Sequence, residues 1–268
     1  MKQAYLQNLG MIVTEKCNLN CEHCMRGNKT CKSMSDDVVK ATLDNIYGMD
    51  NLAICGGEPT MACNVIEKMF TTIVDEKKWI KNVSVVINGT IYSEDFLRLL
   101  EYINGYINKF SKDKNIIRLM ISFDDYHANE IIRLNMTDLY LENLKKYQES
   151  KFFFGLKGIN GKLFNEGDAK KLNPNITEQL RPMPIYYTYP NKENDYLAIG
   201  PLITVNPEGI ITEANASIEN QYTIYNYGNI LTESLEEIVK RQGIITNPIN
   251  WYSDCSKAIQ EFKRYRKY

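Results

Sequence analysis

The sequence predicts an α/β protein built around a parallel β-sheet. Between positions 9 and 159, short apolar runs typical of buried strands alternate with longer runs in which apolar residues recur at helical spacing. This alternation indicates βαβ units, in which each helix crosses back over the sheet. The chain has 268 residues, 44% of them hydrophobic, so it can bury a core of this kind without disulfides.

The strands and helices can be assigned in order. Strands are expected near 9–14, 52–56, 83–87, 116–123 and 152–159, and helices over 35–48, 65–74, 93–107 and 137–149. The first helix has Ser35 as N-cap and two aspartates in its first turn, with Ile46 on its inner face and Gly48 at its end. The series predicts a partial (β/α)6 barrel of the TIM type, in which functional residues lie at the C-terminal ends of the strands.

A smaller C-terminal extension is expected after the barrel. Residues 202–212 read as a β-hairpin that turns at Pro207-Glu208-Gly209. A helix should follow, with Ser234 and Glu237 as its capping box. We therefore predict a barrel core over 1–185 and an extension over 186–268.

Three cysteines, Cys17, Cys21 and Cys24, form the pattern CxxxCxxC directly after the first predicted strand. A structural zinc site takes four ligands, so a zinc-stabilised binding module would need another donor. Cys31 could supply it from a flexible loop, whereas His23 lies between two of the ligands and is badly placed. Iron–sulfur clusters are also held by cysteines at such short spacings. The pattern therefore indicates a metal centre with one coordination position open.

The second predicted strand ends in the run Gly56-Gly57-Glu58-Pro59. Glycines allow the backbone to approach a ligand closely. A carboxylate next to them can accept hydrogen bonds from an ammonium group.

Together the two motifs resemble those of the radical S-adenosylmethionine (radical SAM) superfamily, over about residues 9–170. The resemblance implies that Cys17, Cys21 and Cys24 bind one 4Fe-4S cluster and that S-adenosyl-L-methionine chelates its fourth iron. It also implies that Gly56, Gly57 and Glu58, with the adjoining Pro59, form the seat of the methionine ammonium group. His23 stands where the family usually has an aromatic residue beside the adenine, and its flat imidazole can take that position.

Polar residues also end the third and fourth predicted strands. By the same resemblance, Asn88, Ser122 and Asp124 are expected to contact the carboxylate and ribose of S-adenosylmethionine. His127 is one of two histidines, and a catalytic acid or base tuned near neutral pH would suit its position. The alternative is a surface or loop imidazole bonded to the backbone.

Bulk properties exclude several function classes. A net charge of −1 offers no attraction to nucleic acid or to an anionic membrane, and no apolar run approaches the roughly 20 residues of a membrane span. The odd number of cysteines and the absence of a signal peptide pattern favour a cytoplasmic location.

Cys55 and Cys63 are expected to be small apolar fillers. The basic segment 256–268 is expected to be a solvated helix, with contact to an anionic substrate or leader peptide as the alternative.

The resemblance implies an enzyme that takes an electron from a reductant of the flavodoxin or ferredoxin type and cleaves S-adenosylmethionine to a 5′-deoxyadenosyl radical. This radical then abstracts hydrogen from a substrate. The extension resembles the SPASM or twitch domains of peptide-modifying radical SAM enzymes, which favours a peptide, such as the precursor of a ribosomal natural product. A small-molecule substrate is the alternative. Only 16 residues precede Cys17, so no separate leader-binding domain is expected there.

In SPASM and twitch domains, cysteines for an auxiliary cluster follow the hairpin, whereas residues 213–217 read Glu-Ala-Asn-Ala-Ser. We therefore expect anaerobically reconstituted protein to contain about four irons per chain, the content of a single 4Fe-4S cluster. Iron and sulfide analysis checks this, and about eight irons per chain would contradict it.

Overall fold

The computed structural model describes residues 3–111, 116–189 and 196–245. In the first part of the chain, strands and helices alternate as predicted. They are β1 Gln3–Ile12, α1 Asp36–Asp44, β2 Ile46–Cys55, α2 Cys63–Asp75, β3 Trp79–Ile87, α3 Glu94–Ile107, β4 Ile117–Ser122, α4 Asp125–Arg133, α5 Thr137–Gln148 and β5 Phe153–Lys157. Strands β1 to β5 lie side by side in chain order and all pair in parallel. The predicted α/β fold with a parallel sheet is confirmed.

The remaining elements are shorter. They are β6 Leu163–Phe164, β7 Thr177–Glu178, β8 Tyr186–Thr188, β9 Tyr196–Gly200, β10 Ile203–Val205, β11 Ile210–Thr212, α6 Ile218–Tyr222, β12 Gly228–Asn229, α7 Leu235–Gln242 and β13 Ile244–Ile245. The predicted hairpin is confirmed, because β10 and β11 pair antiparallel. The predicted capping box is confirmed too, since the Ser234 and Glu237 side chains each bond the other's backbone at the start of α7.

The main apolar core lies between the sheet and its helices. Leu9 and Leu52 on the strands and Phe70 and Phe96 on the helices are fully buried in it. The opposite side chains of β3 and β4 are only half-buried or exposed, as the alternating burial of these strands shows. Because the strands are parallel, their C-terminal ends lie at one edge of the sheet, and the loops that follow them meet there.

The sheet extends past β1 into the C-terminal part of the chain. Both β9 and β10 pair in parallel with β1, each along a different part of its length. At the other end, β5 pairs only with β4 among the described residues, and the sheet does not close. The boundary between 185 and 186 remains a prediction, although strands on its two sides share one sheet.

Three predicted boundaries differ from the structure. Helix α1 ends at Asp44, and Ile46, predicted on its inner face, begins β2. Gly48 lies inside β2, where a β-carbon would come within 2.7 Å of the Trp79 side chain, so this glycine serves close strand packing and does not end a helix. Strand β1 begins earlier than predicted, because the polar Gln7 and Asn8 interrupt its apolar pattern.

Helix α4 was not predicted. Its sequence is polar, and only His127, Glu130 and Ile131 among its nine residues are buried, so helical periodicity is weak. The Asp124 side chain caps its N-terminus by accepting a hydrogen bond from the His127 amide.

No helix among the described residues is both long and apolar enough to cross a lipid bilayer. Cys255 and the basic segment 256–268 lie outside the described residues.

Candidate metal and cofactor site

The three cysteines of the motif lie on the loop between β1 and α1, and each is half-buried. All three line a cavity of about 270 Å³ at the C-terminal edge of the sheet. The same cavity is lined by every other predicted site residue except Pro59, namely His23, Gly56, Gly57, Glu58, Asn88, Ser122, Asp124 and His127. Pro59 is buried and begins a short 3-10 turn instead. The structure thus brings together residues from four separate segments of the chain.

Backbone hydrogen bonds fix the start of the cysteine loop against the glycine motif. The Gly57 amide donates to the Thr14 carbonyl and the Glu58 amide donates to the Lys16 carbonyl, both at 2.7 Å. A β-carbon at position 57 would lie 2.1 Å from the Lys16 oxygen. The glycine is therefore required for contact between two protein segments, in addition to any approach to a ligand.

Glu58 is buried, and its carboxylate accepts three hydrogen bonds. One oxygen accepts from the amide and hydroxyl of Thr60, at 3.1 and 2.6 Å, and the other accepts from the Asn88 amide at 2.7 Å. Burial raises the pKa of this carboxyl group, while the three hydrogen bonds oppose that rise. A carboxylate has about four acceptor positions, so one remains for a donor in the cavity.

Asn88 connects the end of β3 to the cysteine loop. Its side-chain amide donates to the Asn18 side chain at 2.8 Å and lies 3.9 Å from the Cys17 sulfur. Asn18 in turn donates to the Thr90 hydroxyl at 2.8 Å. Sequence reasoning missed Asn18 and Thr90, because nothing in the local sequence indicates contact between residues about 70 positions apart.

His127 lies in the wall of the cavity with its ring almost fully buried. Its Nε2 lies 2.8 Å from the Asn88 carbonyl oxygen, and since a carbonyl only accepts, Nε2 carries the proton. Its Nδ1 lies 3.8 Å from the Cys21 sulfur. Burial lowers the pKa of this imidazole. The ring is bonded to backbone, as the alternative interpretation held, but it is buried beside the cysteine loop, and its catalytic role remains a prediction.

His23 and Asp124 also line the cavity. The His23 ring stacks on Tyr126 with ring centres 5.0 Å apart, and its Nε2 lies 3.7 Å from an Asp124 oxygen. Burial is the main cause that lowers the pKa of His23. Ser122 ends β4 at the cavity, and its carbonyl accepts from the Tyr140 hydroxyl at 3.0 Å. A flat imidazole stacked on a second ring provides a surface suited to a purine.

The remaining cysteines differ from expectation in one case. Cys55 ends β2 in the cavity wall and is not a core filler. Burial raises the pKa of its thiol, and the neighbouring Arg26, which also lines the cavity and was not predicted, opposes this rise. Cys63 is half-buried and lies 3.3 Å from the Thr60 carbonyl, and Cys31 is exposed.

The donor set fits an iron–sulfur cluster with one iron left open. Burial, followed by the neighbouring Cys24 and Cys17, raises the pKa of the Cys21 thiol to about 12, so a bound metal is needed to hold this sulfur as a thiolate. Three thiols around one cavity supply protein ligands for a cluster, because a cluster presents separate irons to separate thiolates.

Comparison with known proteins agrees with the family that the two sequence motifs resemble. The model of the radical SAM superfamily matches residues 11–166, more than half of the chain. An uncharacterised protein of Methanocaldococcus jannaschii is 26% identical over 242 residues, which cover 77% of this chain and 84% of that protein. The GTP 3′,8-cyclase of Alkaliphilus oremlandii is 28% identical over 162 residues, covering 53% of this chain and 49% of the cyclase.

A solved structure shares the fold. Native anSMEcpe with bound AdoMet and Cp18Cys peptide superposes with a TM-score of 0.50 and 15% identity, covering 93% of this chain and 82% of that one.

We expect Gly57→Ala to destabilise the fold by about 1–3 kcal/mol, because the added carbon meets a backbone oxygen that cannot move alone. Gly105→Ala is the matched control, since it lies within α3 with no atom within 4 Å of the added carbon. That change should stabilise by about 0.5–1 kcal/mol. Urea unfolding measures both, and equal stability of the two variants would contradict the contact described here.

Proposed function

Since this chain belongs to the radical SAM superfamily, whose enzymes use a 4Fe-4S cluster and S-adenosylmethionine, we propose that it abstracts hydrogen from a peptide at the mouth of the cavity. The observation that supports this is the gathering of Cys17, Cys21 and Cys24 with the residues of three strand ends around one cavity. The cofactors supply the hard chemistry, which is reductive cleavage of S-adenosylmethionine to a 5′-deoxyadenosyl radical. Enzymes of this family need a one-electron reductant, and we propose a protein of the flavodoxin or ferredoxin type.

The chain's own residues bind, orient and exclude water. We propose that the three motif cysteines hold the cluster, which leaves one iron free for the amino acid part of S-adenosylmethionine. The free acceptor position of Glu58, next to Gly56 and Gly57, suits its ammonium group. Pro59 acts indirectly, by starting the turn whose Thr60 fixes the Glu58 carboxylate.

The remaining polar residues suit the other parts of the same molecule. We assign the stacked His23 to the adenine, and Asn88, Ser122 and Asp124 to the carboxylate and ribose, because all of them line the cavity. His127 touches the cysteine loop and the end of β3, so it also helps to position the site.

The sequence of the C-terminal part supports the proposal that this part is a cap without an auxiliary cluster. The predicted hairpin is followed by the cysteine-free run 213–217, and the chain then continues into α6 without a metal-binding pattern in that run. We propose that residues 186–268 form this extension.

Cys17→Ala should abolish formation of 5′-deoxyadenosine, because a cluster with two protein thiolates is poorly held. The control is Cys31→Ala, at an exposed cysteine that does not line the cavity. The assay is anaerobic reconstitution with iron and sulfide, then addition of S-adenosylmethionine and dithionite and chromatography of the products. Full activity in Cys17→Ala, or loss in Cys31→Ala alone, would overturn the assignment, and the second result would favour a site that includes Cys31.

The substrate class is a separate proposal. The peptide bound in the anSMEcpe structure motivates it, whereas the similarity to GTP 3′,8-cyclase motivates the small-molecule alternative. Co-expression with a candidate precursor peptide should yield a peptide of altered mass only when Cys17 is intact, as mass spectrometry can measure. An unmodified peptide, together with turnover of GTP or another nucleotide by the purified enzyme, would favour the alternative.

A further inference from the structure

A buried carboxylate links the cysteine loop to the C-terminal part of the chain. Glu15, two residues before Cys17, is 2% exposed. One of its oxygens accepts from the Tyr222 hydroxyl at 2.9 Å, across 207 positions of sequence, and the other accepts from the Thr30 hydroxyl. Burying a carboxylate is unfavourable unless donors replace water, so these hydroxyls are what makes this position tolerable for Glu15.

The far end of the same loop is held by the same part of the chain. Arg26, two residues after Cys24, donates from its side chain to the Ala216 carbonyl at 2.9 Å, and its own carbonyl accepts from the Ile218 amide at 3.0 Å. The Cys24 carbonyl accepts from the Asp168 amide at 2.9 Å. The loop therefore has bonds to the C-terminal part just before its first cysteine and just after its last, and a further bond from Asp168 at its last cysteine.

The residues that make these contacts are themselves fixed by a second buried carboxylate. Glu166 accepts from the Ser217 amide at 2.9 Å and from the side chain of Asn220 at 2.8 and 3.0 Å. Helix α6, which ends at Tyr222, is thus tied to the segment that bonds Cys24. Lys32, on the loop, also lies 4.7 Å above the Tyr222 ring.

We propose that Glu15 and Tyr222 are positioning residues that hold the three cysteines in the arrangement a cluster requires. The segment 213–222 after the hairpin, which contains no cysteine, holds the cysteine loop through hydrogen bonds. Gly57 and Glu58 bond the carbonyls of Thr14 and Lys16, and Tyr222 bonds the side chain of Glu15, which lies between them in the chain. This inference rests on the proposed function, because it concerns the cluster of the same site.

The test is Tyr222→Phe, which removes one hydroxyl and keeps the ring. The matched control is Tyr225→Phe, since that hydroxyl donates to the Leu180 carbonyl and not to the loop. Both variants are reconstituted anaerobically and compared with wild type by iron content, by the EPR spectrum of the reduced protein with and without S-adenosylmethionine, and by Tm of the cluster-free chain.

We expect Tyr222→Phe to lower the rate of 5′-deoxyadenosine formation about tenfold, the size of effect that follows from losing a hydrogen bond to a charged group. It should also alter the EPR spectrum, while Tyr225→Phe keeps the wild-type rate and spectrum. A spectrum and rate in Tyr222→Phe equal to those of Tyr225→Phe would overturn the positioning role. A similar fall in the Tm of both variants, with unchanged EPR spectra, would assign the Tyr222 hydroxyl to stability alone. That result would also overturn the positioning role.

A second pair of variants distinguishes loss of the hydrogen bond from misfolding. Glu15→Gln keeps an oxygen that can accept from Tyr222, whereas Glu15→Ala removes both acceptors. Glu15→Gln should retain most of the wild-type EPR spectrum and Glu15→Ala should not, and equal loss in both would contradict the role of this hydrogen bond. If wild type itself binds no iron, the proposed function and this inference both fail. If wild type is fully loaded and the variants match it, only the positioning role fails.

Discussion

The site depends on two backbone hydrogen bonds, from Gly57 to Thr14 and from Glu58 to Lys16, each 2.7 Å long. They join the ends of two neighbouring parallel strands just before the first cysteine. Since β1 and β2 already pair along eight positions, these bonds continue the register of the sheet into the loop. Ordering a flexible loop costs conformational entropy. Because the two bonds attach the loop to the sheet, the packing of the sheet core offsets part of this cost. The cysteine loop therefore starts from a rigid base at the edge of the sheet.

Several side chains at the strand ends have a structural task besides any cofactor contact. Glu58 bonds the end of β3, Asp124 caps α4, and His127 bonds the Asn88 carbonyl. These bonds satisfy polar groups that would otherwise be buried without partners, which carries a penalty of about 1–3 kcal/mol each. The same bonds fix the side chains before any ligand arrives. Preorganised groups lose less freedom on binding, so the cavity can hold a polar molecule with little rearrangement.

The fold could be predicted because strand and helix periodicities alternate clearly. Most residues that line the candidate site could be predicted because they follow strand ends. The local sequence could not reveal which residues far apart in the chain contact each other. Glu15 and Tyr222 meet only because β9 and β10 return to pair with β1. Helix α4 was missed because its short polar sequence resembles a strand-end loop, and Ile46 was misassigned because apolar residues suit a helix or a buried strand equally well. Cys55 and Arg26 could be recognised as site residues only from the cavity that they line.

In the proposed site, three thiolates leave one iron open and S-adenosylmethionine completes the coordination of that iron. The most direct measurement is electron–nuclear double resonance on the reduced, reconstituted protein with S-adenosylmethionine that carries ¹⁵N in its amino group. The expected result is a ¹⁵N hyperfine coupling to the cluster, absent with unlabelled cofactor and lost in Cys17→Ala. A fully loaded cluster that binds the labelled molecule and gives no such coupling would contradict the claim.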